Sequence, residues 1–263
     1  MTRRIAAVLA LLVLGTPPLA GCGWLDPDTV PYTGRRRPHL VYTEQEMATL
    51  GAQSYAEVLK KYEVVRGTAA SAQVERVGRR IAAATGKKWD WEYHLLKAPD
   101  NVNAFCLPGG KIAVFTGLLP FIKSDADMAV VLGHETAHAV LEHQNERLSQ
   151  PLAEKLVGMP TSIAVGTWGA IAPGTRKAVM DGMGVGYVVG SVMPYSQKEE
   201  TEADDVGLIF MKRAGYPLSG APAFWERMEK EDKGRVTDSL STHPSSSARA
   251  KNIEEQIRIL EKK

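Results

Sequence analysis

His134-Glu135-Thr136-Ala137-His138 places two imidazoles and a carboxylate in five residues, between the apolar runs Met128–Leu132 and Ala137–Leu141. On a helix, positions i and i+4 differ by roughly 40° around the axis, so both rings leave one face toward a single point. That spacing suits a divalent metal. Glu135 then stands within reach of a water at the metal, with the chemistry to take its proton during attack on a carbonyl. The plain alternative is a solvated helix that carries two histidines and an acid.

A catalytic zinc site usually takes three protein ligands and keeps one position open, so a further donor is needed. His143 is nearest, but it lies nine positions after His134, roughly 180° around a continuous helix. It is expected at the surface or at a helix end. Downstream, Glu200-Thr201-Glu202-Ala203-Asp204 puts Glu200 and Asp204 at i and i+4 on one helical face. Glu200 is the candidate ligand, and Asp204 the candidate acceptor for the second N–H of a ligating ring. Glu199 and Glu202 are expected to point elsewhere, into solvent or toward Lys198 and Arg213. On residue types alone, the same Glu/Asp pair also reads as an exposed charged face.

The elements that would hold these residues can be read from local signals. Thr43-Glu44-Gln45-Glu46 forms a capping box opening a helix to about Tyr62, and a second helix covers Ala69–Ala84. Trp91–Leu96 and Lys111–Thr116 suit strands, with Asn101–Cys106 between them leading into a Pro-Gly-Gly turn. Ser124 or Asp125 caps the metal helix, which is expected to run through about Leu148. Glu199–Ala214 predicts a helix closed by Gly215, Ser219–Lys230 another, and Ser247–Lys262 an amphipathic one with Ile253, Ile257 and Leu260 on one face. The stretches Leu156–Thr175 and Gly182–Gln197 lack charge, but their prolines, glycines and the intervening Arg176, Lys177 and Asp181 favour packing within the domain over membrane insertion. The fold class expected is α+β, mainly α, with a small sheet beside the H-E-x-x-H helix.

Residues 1–21 read as a lipoprotein export signal: Arg3-Arg4, an apolar run from Ile5 to Leu14, then Leu19-Ala20-Gly21-Cys22. Acylation of Cys22 would anchor the chain to a membrane, with residues 22–42 as lipidated terminus and linker and 43–263 as the functional domain. Only Cys106 then remains, so no internal disulfide is available. It reads as an apolar filler. Removing Arg3 and Arg4 leaves 30 basic residues against 30 acids, a neutral body that argues against nucleic acid. Arg35-Arg36-Arg37 is expected to be a solvated part of the linker.

His134–His138 followed by Glu200-x-Glu202-Ala203-Asp204 resembles the membrane-associated zinc metallopeptidases of the CAAX-prenyl-protease and HtpX type, most nearly their periplasmic lipoprotein branch. The similarity also takes in Thr33-Gly34-Arg35-Arg36, Asn103-Ala104-Phe105 with Leu107-Pro108-Gly109-Gly110, and Ser241-Thr242-His243-Pro244. The resemblance implies a gluzincin-like domain holding one zinc on His134, His138 and Glu200, with Glu135 as base and Asp204 in support. It further implies His243 over the metal, as oxyanion donor or plug, and Arg249 near the acids. Polypeptides are the implied substrates, held extended along the sheet edge at Asn103, Ala104 and Phe105. Misfolded or misassembled envelope proteins, cleaved on the periplasmic side, are the expected class. Gly23 after the anchor leans toward the outer membrane. An envelope chaperone or assembly factor with a latent or structural zinc is the alternative, and a metal-free scaffold a more distant one. Two departures stand out: Ser196-Gln197 replaces the family's usual Ser-Arg, and Cys106 takes the place of a smaller residue.

Overall fold

The computed structural model describes residues 29–36, 40, 42–157, 195–232 and 247–262. Cys22, His39, His243 and nearly all of the two uncharged stretches lie outside the described residues. Seven α-helices are described: α1 (Glu44–Lys61), α2 (Ala69–Thr85), α3 (Asp125–Val140), α4 (His143–Val157), α5 (Gln197–Arg213), α6 (Ala221–Asp232) and α7 (Ser247–Glu261). Four strands, β1 (Val64–Val65), β2 (Glu92–Leu96), β3 (Ala104–Leu107) and β4 (Lys111–Phe115), form one sheet in the order β1-β2-β4-β3. This is the mainly helical α+β architecture expected. Among the described residues no helix is long and apolar enough to cross a membrane.

Period-two alternation splits the strands between two cores. Ala104, Cys106, Ile112 and Val114 face α2, α3 and α5, while Phe105, Leu107, Ala113 and Phe115 face α1. β4 lies between β2, its parallel partner, and β3, its antiparallel one, and is buried on both faces. The helix starts follow their caps. Thr43 Oγ1 accepts the Glu46 N–H while the Glu46 carboxylate accepts the Thr43 N–H, and Ser196 with Glu199 repeats the device at α5. The capping box therefore fastens the α5 start where the usual arginine is replaced by Gln197.

Two features of α3 place the site. It is buried from Asp127 to Val140, as a helix apolar on most faces must be. It also crosses α5 at a pair of glycines. A Cβ on Gly207 would meet the His134 nitrogen at 2.9 Å and the Gly133 carbonyl carbon at 3.0 Å. The two backbones touch there because neither residue has a side chain.

The metal helix stops earlier than its apolar pattern predicts. Leu141 and Glu142 donate to Ala137 and Ala139 carbonyls, and Glu142 adopts a left-handed φ of 62°. A left-handed residue with a side chain costs about 1–2 kcal/mol. Burial of His143, Asn145 and Leu148, with Asn145 donating to the Tyr42 carbonyl at 2.8 Å, offsets that cost.

Candidate metal centre

The i, i+4 spacing does what helix geometry requires: His134 and His138 bring their Nε2 atoms to 3.1 Å of each other. From α5, Glu200 places Oε2 3.4 Å from His134 Nε2 and Oε1 3.4 Å from His138 Nε2. All three side chains are buried. Ligand atoms about 2.0–2.1 Å from a tetrahedral ion sit roughly 3.3 Å apart, so the spacing suits zinc. Two imidazoles and one carboxylate also leave a fourth position for water or substrate.

The first ring is held by a carboxylate directly. His134 Nδ1 lies 2.9 Å from Asp204 Oδ1, and Arg249 from α7 donates Nε to Asp204 Oδ2 at 2.7 Å and Nη2 to Oδ1 at 2.8 Å. Arg249 Nη1 also reaches Glu200 Oε2 at 2.9 Å. Burial works against the Asp204 charge, but Arg249 and His134 prevail and hold this carboxyl below its ordinary range. Trp225 packs edge-on to the His134 ring at 5.4 Å and under the Arg249 guanidinium at 4.6 Å. The expectations for Asp204 and Arg249 thus meet a matching geometry, while Trp225 carried no sequence signal.

The second ring is held through another imidazole. His138 Nδ1 lies 2.9 Å from His143 Nδ1, and His143 Nε2 lies 3.2 Å from Glu202 Oε2. Arg35 donates Nε to Glu202 Oε1 at 2.6 Å and Nη2 to both Glu146 oxygens at 2.8 and 3.0 Å. Tyr195 stacks on His138 with ring centres 3.8 Å apart, and the Arg147 guanidinium lies over the Tyr195 ring at 4.3 Å. Three sequence expectations are corrected here. His143 is a helix-end residue but fully buried, because the chain turns at Glu142 and returns it to the metal side. Glu202 is neither solvated nor paired with Lys198 or Arg213, and Arg35 is not a free linker charge.

Both rings have Nδ1 engaged, which leaves Nε2 as the metal donor on each. Burial opposes charge on both. At His134 the Glu200 and Asp204 carboxylates overcome it and push the ring up to about 10, whereas His138, with His134 and His143 beside it, falls well below the ordinary value. The Glu200 and Asp204 carboxylates thus favour positive charge on the His134 side, while burial and the neighbouring imidazoles keep His138 neutral, the form in which an imidazole ligates a metal.

Glu135 is buried in the same turn, near enough to Cys106, Tyr195 and Arg249 for its charge to act on them. Burial, then Glu135, raises the Cys106 thiol, which matches an apolar filler and not a nucleophile. Asn103, Ala104 and Phe105 lie at the outer strand of the sheet. There the Asn103 side chain accepts the Ala104 N–H and Gln144 donates to the Cys106 carbonyl. The Phe105 ring packs inward against Tyr55 and Phe115.

Comparison with known proteins agrees with this centre. Residues 68–257 match Peptidase family M48. Mitochondrial metalloendopeptidase OMA1 of Schizosaccharomyces pombe is 34% identical over 88% of this chain and 66% of its own length. Metalloprotease LoiP of Escherichia coli is 26% identical over 97% of both chains, and a putative beta-barrel assembly-enhancing protease of Vibrio cholerae is 25% identical over 95% of this chain and 52% of its own. The chain spans about a third to two thirds of the length of the OMA1 relatives from fission yeast, Arabidopsis and budding yeast that it matches. A family match across most of the chain, over a buried two-histidine, one-glutamate cluster, makes this protein a member of the M48 zinc metallopeptidases.

Proposed function

We propose that the chain is an endopeptidase that cleaves misfolded or misassembled cell-envelope proteins, with His134, His138 and Glu200 as zinc ligands and Glu135 as general base. The observation that carries the reading is the convergence of both Nε2 atoms and the Glu200 carboxylate on one point. Zinc bound there supplies Lewis acidity to the scissile carbonyl and lowers the pKa of water. Glu135 takes the proton from the attacking water and returns it to the leaving amine. His243 donates to the developing oxyanion, a role worth a few kcal/mol in comparable sites. An extended peptide lies along the outer edge of β3 at Asn103–Phe105, where it takes over the Ala104 N–H and the Cys106 carbonyl from the Asn103 and Gln144 side chains, and backbone hydrogen bonds of this kind impose little sequence preference.

The envelope assignment rests on the leader and on Leu19-Ala20-Gly21-Cys22. We take Cys22 as the acylated anchor of a periplasm-facing domain, on the outer membrane given Gly23. The name of the Vibrio relative, which refers to beta-barrel assembly, is in keeping with substrates of that compartment. Glu135→Gln should abolish cleavage of an unfolded test protein while retaining one zinc per chain. Cleavage that persists in this variant would falsify the mechanism. A zinc-loaded wild type that never cleaves would point instead to a chaperone with a latent site.

A further inference from the structure

We propose that Arg35 is a positioning residue of the metal centre, acting through Glu202 and His143 to orient His138 and fix its tautomer. The inference rests on the zinc reading above and extends it to the segment that precedes the catalytic domain.

The polarity of the chain of contacts carries the argument. With Glu202 as acceptor, the proton of a neutral His143 sits on Nε2. His143 Nδ1 is then the acceptor facing His138 Nδ1, so the His138 proton sits on that nitrogen and Nε2 keeps the lone pair a metal needs. One carboxylate thus sets two tautomers in series. Its orientation in turn depends on Arg35, which takes Glu202 Oε1 and leaves Oε2 directed at His143. The same guanidinium forks to Glu146 and prevents that carboxylate from claiming the position.

Arg35 is itself placed by a clamped turn. Thr29 and Arg36 form a bridge, Val30 donates to Arg35 and accepts from Gly34, and Gly34 adopts a left-handed φ of 64°. Val30 is fully buried, the Tyr32 ring meets Phe210 edge-on at 5.5 Å, and its hydroxyl donates to Thr85 at the end of α2. The loop before the domain therefore packs on α2 and α5 and presents one guanidinium to the site.

The test is zinc affinity of the full-length chain, measured with Zn2+ alone against a competing chelator. Arg35→Gln should weaken binding about tenfold or more. His143→Leu, which removes the relay, should do the same, and in that background Arg35→Gln should have no further effect. His143→Gln offers an acceptor to His138 and a donor to Glu202 in the original order and should recover most of the affinity. If Arg35→Gln does not fold, Arg35→Lys, which cannot fork to both carboxylates, should show a smaller loss with the same dependence on His143. Wild-type affinity in the Arg35 variants, or losses that add to that of His143→Leu, would overturn the proposal and leave the metal site standing. A wild type that binds no zinc would overturn both.

Discussion

His134 and His138 sit one turn apart on α3, yet the protein supports them from opposite sides by different means. His134 leans on Asp204 and Arg249, whose side chains are 2% and 5% exposed. His138 leans on His143, then on Glu202 and Arg35 at 10% and 15%. The first support is one hydrogen bond deep and comes from the helix that also carries Glu200. The second passes through an extra imidazole and ends in the turn at Thr29–Arg36. A direct, dry carboxylate fixes a ring more firmly than a longer chain of contacts ending nearer to water, because each added link contributes its own freedom. The two arms should therefore differ in what their loss costs.

The largest effect should come from a change that breaks both arms at once. Gly207→Ala puts a methyl group 2.9 Å from the His134 nitrogen and 3.0 Å from Gly133, against helix backbone that has nowhere to move. The helices must separate, carrying Glu200, Glu202 and Asp204 away from the histidines. We expect a loss of about 3 kcal/mol or more, with purified protein short of zinc. Thermal unfolding and metal content measure both, and a stable variant at full zinc occupancy would show that the close crossing is not what builds the centre.

Next in size is the difference between the arms. Asp204→Asn can still accept from His134, but its amide then faces Arg249, donor against donor. Breaking such a buried pair costs about 3 kcal/mol or more, and zinc affinity should fall about a hundredfold, the upper end for an outer-shell partner. His143→Leu should fall nearer tenfold. Equal losses would mean that the two supports are equivalent and that depth does not matter.

The sequence exposes one arm and hides the other for a physical reason. His134, His138, Glu200 and Asp204 follow the helix period, and a period is visible without a fold. The capping box at Thr43 and the Pro-Gly-Gly turn after Leu107 are legible for the same cause: local chemistry dictates them. The His138 arm depends instead on Glu142 adopting a left-handed conformation in a run that otherwise reads as continuous helix. Extending α3 through Leu148 sends His143 to the far side, and Glu202, two residues from Glu200, then has nothing to meet. Arg35 looks like one charge in a basic run until the Thr29–Arg36 turn is folded. Gly133 and Gly207 acquire meaning only when two helices cross.

The smallest effect tests whether metal-directed carboxylates differ from a neighbour on the same helix. Asp205 follows Asp204 but faces Asn252, which donates to it at 2.9 Å. Burial, aided by the charges of Asp204 and Glu202 and opposed by Asn252, pushes its carboxyl up to about 6. A raised carboxyl binds its proton more tightly in the folded state. Below the ordinary value near 3.8 both states are protonated and nothing is lost. As pH rises toward 6 the folded chain gives up stability, and above 6 it bears the full cost of a charge held in poor surroundings. Asp205→Asn keeps the acceptor for Asn252 and removes that cost. Measured by denaturant unfolding of the metal-free chain, it should stabilise by on the order of 1 kcal/mol at pH 7.5, after allowance for solvent screening of a partly exposed group. At pH 3.5 the gain should vanish. An equal gain at both pH values would trace the effect to packing, and the contrast between adjacent aspartates, one stabilised as an anion by Arg249 and one not, would lose its electrostatic basis.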